Sequence, residues 1–265
     1  MEPLFTASMP EYYDRCLGLP LFDPFAADLV QRLPARPDGD VLEVACGTGV
    51  VTRRLRARLD PGVRIVATDI SASMLAYARE KASDARNIDW QEADACKLPF
   101  AEGAFAAVVC AFGLMFIPDT AAAFREARRI LKPGGIFCFA VWDAIEENPH
   151  GLAVTRVIES VLPDPEMAFR TPYSMASFGR LKDLLQASRF VEQSMESKRL
   201  PLGNVSARTL ATGQIRGTPR SAIIEKQGVA LDTVIDKLAA LLTAQGGADP
   251  YRGHAQAIVA LARAT

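Results

Sequence analysis

The sequence contains no apolar run of about 20 residues, few histidines and no excess of one charge. Without such a run, we predict no membrane-spanning helix. Thirty Lys and Arg residues oppose 31 Asp and Glu residues, so the composition indicates no basic surface for nucleic acid. The two histidines and five cysteines show no spacing typical of metal ligands, and we predict no metal site.

The number of cysteines is odd, and Cys46, Cys110 and Cys138 lie in or beside predicted buried strands. A thiol in such a position packs as a small hydrophobic group, which fits a reducing compartment. Residues 1–9 lack the basic start and apolar segment of a secretory signal. We therefore expect a cytoplasmic protein, and the sequence indicates no oligomeric state.

Strand and helix patterns alternate between residues 41 and 142. Near-continuous apolar runs in this region are typical of strands buried on both faces. The alternation predicts parallel strands joined by right-handed crossovers, and therefore an α/β fold with a doubly wound, mostly parallel sheet. Strands are predicted at residues 41–46, 63–67, 87–93, 105–111, 136–142, 191–200 and 256–262, the last as an edge strand. Helices are predicted at residues 10–18, 22–33, 48–59, 117–131, 152–162 and 176–187, after Ser71, and over most of 205–246.

A glycine turn and a carboxylate follow the first two predicted strands. The first strand leads into Cys46-Gly47-Thr48-Gly49, and Asp69 stands at the end of the second. Backbone without side chains admits a ligand closely at Gly47 and Gly49. A carboxylate on the neighbouring strand can accept hydrogen bonds from both hydroxyls of a ribose. This arrangement is typical of a nucleoside-binding crevice in an α/β sheet.

Three details separate the classes of enzyme that share such a turn. No Gly-Lys-Ser or Gly-Lys-Thr follows it, which excludes a P-loop nucleotide hydrolase. A dinucleotide fingerprint that starts at Gly47 requires Gly or Ala at the position of Thr52. The observed pattern is instead an acid, a small residue and two glycines at alternate positions: Glu43, Ala45, Gly47 and Gly49.

With this pattern, the chain resembles the class I S-adenosylmethionine-dependent methyltransferases, and most closely the ubiquinone/menaquinone-type small-molecule enzymes. The resemblance covers residues 10–142 and depends on five ordered motifs: Val41–Gly49, Ile65–Ile70, Glu92–Leu98, Val108–Phe112 and Leu131–Gly135. It implies a Rossmann-like methyltransferase fold with seven strands and a helical cap inserted in the C-terminal half. We accordingly predict a helical lid at 1–34, a cofactor-binding core at 35–145, and the last strands with a helical substrate cap at 146–265.

The resemblance implies S-adenosyl-L-methionine as the cofactor and S-adenosyl-L-homocysteine as its product. It places Glu43 near the methionine ammonium group, which the Cys110 carbonyl also faces, and Asp69 at the ribose hydroxyls. Asp94 would accept a hydrogen bond from the adenine amine, and the Ala95 amide would donate one to a ring nitrogen. The remaining expected cofactor contacts are Arg15, Ala45, Cys46, Gly47, Gly49, Ile70, Met74, Ala93, Phe112 and Met115. Ala45 departs from the glycine often found first in the turn, and Arg15 has a plain surface position as its alternative.

The acceptor side of the crevice is expected to be apolar. After the fourth strand, Cys110-Ala111-Phe112-Gly113 replaces the Asn/Asp-Pro-Pro-Tyr/Phe clamp typical of enzymes that methylate amines of DNA, tRNA or protein glutamine. We therefore expect a small-molecule methyl acceptor that is aromatic or apolar, and no nucleic acid. Expected acceptor contacts are Tyr12, Tyr13, Phe112, Trp142, Phe169 and Tyr173, for which core packing is the alternative. His150 is predicted to be a catalytic base or an acceptor contact, with a surface position as the alternative.

The sequence thus predicts methyl transfer from S-adenosylmethionine to an oxygen, nitrogen or carbon atom of a small molecule. One alternative is an NAD(P)-dependent oxidoreductase of Rossmann type, against which Thr52 and the order of the later motifs count. Another is a non-catalytic S-adenosylmethionine-binding protein, because an intact binding motif does not by itself establish turnover.

Overall fold

A computed structural model describes residues 9–162 and 170–265. Seven strands form one sheet in the order β3-β2-β1-β4-β5-β7-β6. The strands are β1 Asp40–Val44, β2 Ile65–Asp69, β3 Ile88–Glu92, β4 Phe105–Ala111, β5 Leu131–Trp142, β6 Phe190–Pro201 and β7 His254–Ala264. The α-helices are α1 Met9–Tyr13, α2 Asp23–Gln31, α3 Val50–Arg58, α4 Ala72–Lys81, α5 Thr120–Ile130, α6 Pro149–Val161, α7 Phe178–Ala187, α8 Ala207–Arg216, α9 Arg220–Lys226 and α10 Leu231–Gly246. A π-helix, Asp14–Phe22, joins α1 to α2.

The first five strands pair in parallel, which confirms the predicted α/β fold with a mostly parallel, seven-stranded sheet. Among them β1 lies centrally, between β2 and β4. Strands β2 and β3 extend the sheet to one side of β1, and β4 and β5 extend it to the other. The strand order therefore reverses between β1 and β4, and the carboxyl ends of these strands are where such sheets bind ligands.

The predicted position of the last strand was wrong. Strand β7 is not at the edge but pairs antiparallel with β5, from Ile136 opposite Arg263 to Trp142 opposite Ala257, and β6 forms the edge. Alanine has a low strand propensity, so the composition of β7 favoured a position at the edge of the sheet. Its small side chains are instead buried, since every residue from Ala257 to Ala260 has no exposed surface.

The chain divides into two compact units, which we call the sheet unit and the helical unit. The sheet unit comprises Phe25–Asp143, Thr171–Lys198 and Ala257–Thr265. The helical unit comprises Met1–Pro24, Ala144–Arg170 and Arg199–Gln256.

Helices α3, α4 and α5 of the sheet unit pack on its strands through apolar faces. The core between α5 and β5 contains Phe124, Phe137 and Phe139, with the rings of Phe124 and Phe137 edge to face at 5.3 Å. Such geometry adds aromatic attraction to the burial of apolar area. Two N-caps begin helices here: Ser71 accepts a hydrogen bond from the Met74 amide, and Asp119 from the Ala122 amide.

In the helical unit, α10 packs on α6 and α8, and α8 also packs on the π-helix. Gly213 permits the close approach of α8, because a Cβ at this position would lie 2.6 Å from the Cys16 Cβ. Within residues 9–162 and 170–265, no helix combines the length and the apolar composition needed to cross a membrane.

The turns that follow β1 and β4 pack tightly on each other. Ala45 has a φ of +55°, in the left-handed region that side chains rarely adopt. Its Cβ occupies the space that a side chain at Gly113 would need, because a Cβ built on Gly113 would lie 2.5 Å away. The glycine at position 113 thus compensates for the alanine at position 45.

Gly113→Ala is expected to lower the free energy of unfolding by about 1–3 kcal/mol through overpacking. The new Cβ would meet Ala45 at 2.5 Å and the Cys110 sulfur at 3.0 Å. Gly179→Ala on α7 is the matched control, since its nearest neighbour would be 3.9 Å away and helix propensity would improve. Urea unfolding measures both variants, and adding Ala45→Gly to Gly113→Ala should recover part of the loss. Equal losses at Gly113 and Gly179 would contradict this packing.

Candidate functional site

The candidate site begins at the turn between β1 and α3. Gly47 and Gly49 have φ values of +55° and +78°, which glycine adopts without strain. A Cβ built on Gly47 would meet nothing within 4 Å, so open space lies over this residue. A Cβ on Gly49 would approach Ala78 at 3.1 Å and the Trp90 ring at 3.3 Å. Gly47 therefore offers room to a ligand, whereas Gly49 permits close packing of the helix and strand behind it.

Asp69, the last residue of β2, holds this turn. The Gly47 amide donates a hydrogen bond to its Oδ2 at 2.8 Å, and the Ser71 amide donates one to Oδ1 at 2.9 Å. Burial raises the pKa of this carboxyl above its usual value, and the backbone N–H groups of Ser71, Gly47 and Ile70 oppose the shift. Each carboxylate oxygen has a second lone pair, so Asp69 retains capacity for ligand hydroxyls.

Glu43 lies inside β1 and is 2% exposed. The Thr52 hydroxyl donates a hydrogen bond to its Oε2 at 2.5 Å. Burial raises the pKa of Glu43 to about 8, an effect that the Thr52 hydrogen bond reduces and the charge of Asp69 increases. The charge of Arg53 also opposes the rise, but Glu43 is still mostly protonated at neutral pH.

Sequence reasoning missed two threonines at this site. Thr52 entered it only as a departure from a dinucleotide fingerprint, yet it is the hydrogen-bond donor to Glu43. A buried carboxylate needs a hydrogen-bond donor. Thr52 is the polar residue among the buried residues of α3, and its position on the apolar face of that helix was a signal in the sequence that it could be this donor. The hydroxyl of Thr48 is buried and forms no hydrogen bond with any residue in the described ranges. A buried, unsatisfied hydroxyl beside open space fits a polar ligand over the turn.

The residues expected at the adenine lie next along the sheet. Ile70 is 67% exposed beside Asp69, which is unusual for a large apolar side chain, whereas Met74 is buried. The Asp94 carboxylate accepts a hydrogen bond from the Cys96 amide at 2.8 Å, and the Ala93 amide donates to the Asp69 carbonyl at 3.1 Å. An exposed apolar side chain, Ile70, thus follows β2, and an exposed carboxylate, Asp94, follows β3.

Four further expected cofactor contacts are buried or line a small cavity. Ala95 and Cys110 line one small apolar cavity, and burial raises the pKa of the Cys110 thiol to about 12. This thiol is therefore neutral, and the expected role of Cys110 involves only its carbonyl group. Cys46 and Met115 are also buried.

Two expected acceptor residues of the sheet unit form an aromatic cluster with a third ring. Phe112 stacks on Trp142 with ring centroids 4.0 Å apart, and Phe25 meets both rings edge-on at 5.5 Å. Phe112 adopts a φ of +56°, and its amide donates to the Ala140 carbonyl at 2.8 Å. Tyr173 is partly buried in a 3-10 turn, Thr171–Tyr173, that packs on the turn Leu114–Phe116. Phe25 had no signal in the sequence beyond its apolar character.

The other expected site residues belong to the helical unit. Arg15 is exposed and pairs with Glu11 at 3.0 Å, one helical turn away. Tyr12 lies beneath the Arg216 guanidinium at 5.9 Å, and Tyr13 stacks on Phe22 at 4.9 Å. Phe169 lies outside the described residues.

His150 is 1% exposed in the first turn of α6, so the alternative of a surface position was wrong. Burial lowers its pKa to about 4; the positive charges of Arg220 and His254 add to this effect, and a hydrogen bond to the His254 backbone opposes it. A neutral imidazole can accept a proton at pH 7, but a pKa of about 4 makes it a weak base. Its assignment as a catalytic base stays a prediction.

Comparisons with known proteins show that this chain is similar to methyltransferases. Residues 41–135 match the family described as the methyltransferase domain. The chain is 38% identical over 141 residues to the demethylmenaquinone methyltransferase of Thermus thermophilus, which covers 52% of this chain and 61% of that protein. The chain therefore spans less than two thirds of the length of this curated relative. The match confirms the predicted resemblance to methyltransferases over residues 41–135.

Solved structures share the fold at low sequence identity. The phosphoethanolamine N-methyltransferase 2 of Haemonchus contortus, in complex with S-adenosyl-L-methionine, has a TM-score of 0.63 at 17% identity, covering 99% of this chain and 58% of that one. The [4+2]-cyclase SpnF has a TM-score of 0.56 at 20% identity, covering 91% and 80%. Because the fold also carries a cyclase, the fold alone does not determine the reaction.

The lowered pKa of His150 predicts a pH dependence of stability. Between about pH 6.5 and pH 4 the unfolded chain binds a proton at His150 that the folded chain does not. The free energy of unfolding is therefore greatest above pH 6.5 from this cause, and falls by up to about 3 kcal/mol as the pH decreases to 4.

Urea unfolding of the wild type and of His150→Gln at pH 7, 5.5 and 4.5 measures this effect. The decrease should be smaller in the variant than in the wild type. An identical pH dependence in the wild type and His150→Gln would contradict a buried, neutral His150.

Proposed function

We propose that residues 41–135, which match the methyltransferase domain family, belong to a class I methyltransferase and that the chain transfers a methyl group from S-adenosylmethionine to a small molecule. The acceptor atom is an oxygen, nitrogen or carbon of an aromatic or apolar compound. The observation that carries the proposal is the hydrogen bond from the Gly47 amide to the Asp69 carboxylate. Open space lies over Gly47, and the buried Glu43 lies on the neighbouring strand β1.

The residues present fit this cofactor at both of its polar ends. The open face of Gly47 and the unsatisfied hydroxyl of Thr48 suit the methionine part, and Glu43 supplies a carboxyl group for its ammonium. Asp69 offers acceptor lone pairs to the ribose, because each of its oxygens receives one amide hydrogen bond in this structure. The exposed side chain of Ile70 suits one face of the adenine. These groups support the assigned roles.

The chemistry that the cofactor supplies is a methyl group on a sulfonium, which is already activated for displacement. The protein then has to bind and orient the cofactor and the methyl acceptor, and to exclude water from them. Glu43 and Asp69 hold opposite ends of one ligand from adjacent strands, which limits its orientation. A general base is needed only for an acceptor that must lose a proton, such as a phenol or a carbon acid. We keep His150 as the candidate for that step.

The acceptor class is argued from the groups after β4 and β5. Phe112, Trp142 and Phe25 form a packed aromatic cluster, and Tyr173 lies beside the segment that follows Phe112. Charged side chains are lacking among these four, which favours an apolar or aromatic acceptor. The Thermus thermophilus relative is named for a demethylmenaquinone acceptor, which is consistent with this class.

The wider setting of the reaction is part of the same proposal. We assign it to the cytoplasm on the basis of the odd number of cysteines, none of them in a disulfide bond in this structure. The balance of charges favours a small-molecule partner over nucleic acid. The division into a lid at 1–34, a core at 35–145 and a substrate cap at 146–265 stays a prediction.

The alternative of a dinucleotide oxidoreductase is not favoured. The position that the dinucleotide fingerprint reserves for Gly or Ala holds Thr52, whose hydroxyl is committed to Glu43. Titration with S-adenosylhomocysteine and with NAD separates the two functions. Binding of NAD without binding of S-adenosylhomocysteine would overturn the proposal.

A screen with isotopically labelled S-adenosylmethionine tests the activity. Quinols, phenols and heteroaromatic amines are offered as acceptors, and mass spectrometry detects the labelled methyl group in the product. Cofactor binding without turnover on any acceptor would favour the non-catalytic alternative.

Asp69→Ala is expected to weaken S-adenosylhomocysteine binding by about 1–3 kcal/mol, because charge-assisted hydrogen bonds to the ribose are lost. Asp89→Ala is the matched control, since Asp89 is an exposed carboxylate that pairs with Arg64 at 2.6 Å on the same sheet. Isothermal titration calorimetry measures both variants, and Asp69→Asn tests the charge alone. An unchanged dissociation constant in folded Asp69→Ala would refute this role.

Cofactor binding is also expected to release a proton from Glu43. With a pKa of about 8, Glu43 is mostly protonated in the free protein at pH 7, and a bound ammonium group favours its ionised form. Up to about one proton per site should be released at pH 7, and the release should vanish well above pH 8.

Calorimetric titration of S-adenosylhomocysteine in phosphate and in Tris detects this proton through the different ionisation enthalpies of the buffers. Glu43→Gln should bind with no such release. Proton uptake by the wild type, or equal release by Glu43→Gln, would contradict the assignment.

A further inference from the structure

The helical unit contains an open cleft of about 520 Å3 on its surface that has no role in the proposed function. Two segments line it, residues 201–204 and residues 250–254. Its volume lies within the range of pockets that hold small molecules. We propose that this cleft binds a small organic acid with a flat apolar body and a single carboxylate. This inference does not depend on the proposed methyl transfer.

Backbone hydrogen bonds join the two segments and hold the cleft open. The Leu202 amide donates to the Gly253 carbonyl at 3.0 Å, and the Tyr251 amide donates to the Val205 carbonyl at 2.7 Å. The Arg252 amide donates to the Gly246 carbonyl at 2.8 Å, which ties the same segment to the end of α10. A pocket held in this way requires little ordering when a ligand binds, which favours affinity.

The apolar part of the lining consists of Pro201, Leu202, Pro250 and Tyr251. The Tyr251 ring is held in place by two glycines. A Cβ built on Gly246 would lie 2.8 Å from a ring carbon, and one built on Gly253 would lie 2.7 Å from another. Tyr251 is 3% exposed, so its ring has little freedom to turn. The exposed rings of Pro201 and Pro250 beside it provide flat apolar surface, which suits an aromatic or planar ligand body.

The polar part of the lining is rich in hydrogen-bond donors. It comprises Asn204, Arg252 and His254, and no acidic residue. Within the described parts of the chain, the guanidinium of Arg252 forms no ion pair and the amide of Asn204 forms no side-chain hydrogen bond. A guanidinium binds a carboxylate through two parallel hydrogen bonds, and an amide can donate another.

The charge of the lining limits the class of anion. Among the lining residues, Arg252 supplies the one permanent positive charge. One full charge balances a monocarboxylate but not a nucleoside diphosphate or triphosphate. The combination of planar apolar walls with one cation therefore favours an aryl or arylalkyl monocarboxylic acid.

A matched pair of probes tests the inference. Isothermal titration calorimetry compares 3-phenylpropanoate with its neutral amide, 3-phenylpropanamide, on the full chain without cofactor. The carboxylate is expected to bind at least about fivefold more tightly than the amide, because its hydrogen bonds are charge-assisted. Equal affinities, or no saturable binding of either probe, would overturn the proposal. Since no cofactor is present, failure of methyl transfer would not affect this result.

Variants locate the binding. Arg252→Gln should reduce the affinity for the carboxylate to that for the amide, whereas Arg156→Gln, an exposed arginine on α6 that does not line the cleft, should change neither. Asn204→Trp places an indole at the exposed rim and should weaken the binding of both probes. An unchanged preference for the carboxylate in Arg252→Gln, or an equal loss in Arg156→Gln, would place the binding elsewhere and refute the proposal.

Discussion

The carboxylate of Asp69 joins the end of β2 to the glycine turn after β1, and the geometry of the candidate site depends on this connection. A turn with positive φ at Gly47 directs an amide away from the strand, where it has no partner in the sheet ladder. Asp69 supplies that partner at 2.8 Å, and its other oxygen receives the Ser71 amide that leads into α4. One side chain thereby orders two loops and still presents acceptor lone pairs to a ligand. A neutral or longer residue would lose one of these functions.

The burial of Glu43 is the second constraint. An ionised carboxylate inside a sheet is costly unless it is paired, and the protein meets this cost through protonation and through the Thr52 hydroxyl. The same burial makes Glu43 responsive to charge, since a cation brought near it stabilises the ionised form. In the proposed function, this response would let Glu43 recognise a positive ligand group by a change of protonation as well as by contact. Asp69, which also lies close enough to raise the pKa of Glu43, couples the two carboxyl groups.

The helical unit contributes differently, because its polar groups come together from distant parts of the chain. Asn148 accepts a hydrogen bond from the Gln256 amide at 2.9 Å and donates one to the Gln256 carbonyl at 3.0 Å, across 108 residues of sequence. This pairing fixes the start of α6, and with it His150, beside the beginning of β7. The low pKa of His150 follows from its burial in this unit.

Much of the sheet was predictable because its signals are local, and several residues of the candidate site have local signals as well. Buried strands appear as apolar runs, Ser71 as a cap, and Glu43, Gly47 and Asp69 as polar or small residues at strand ends, where α/β sheets bind ligands. By contrast, the position of β7 inside the sheet, the burial of His150 and the stacking of Phe112 on Trp142 had no local signal. Each depends on which distant segment lies alongside, and side-chain pattern does not encode that choice. The sequence by itself determined the order of strands and helices and the chemistry at the ends of β1 and β2. Only the tertiary structure decided which groups are buried, and therefore which carboxyl and imidazole groups have altered pKa values, because desolvation is a property of the packed protein.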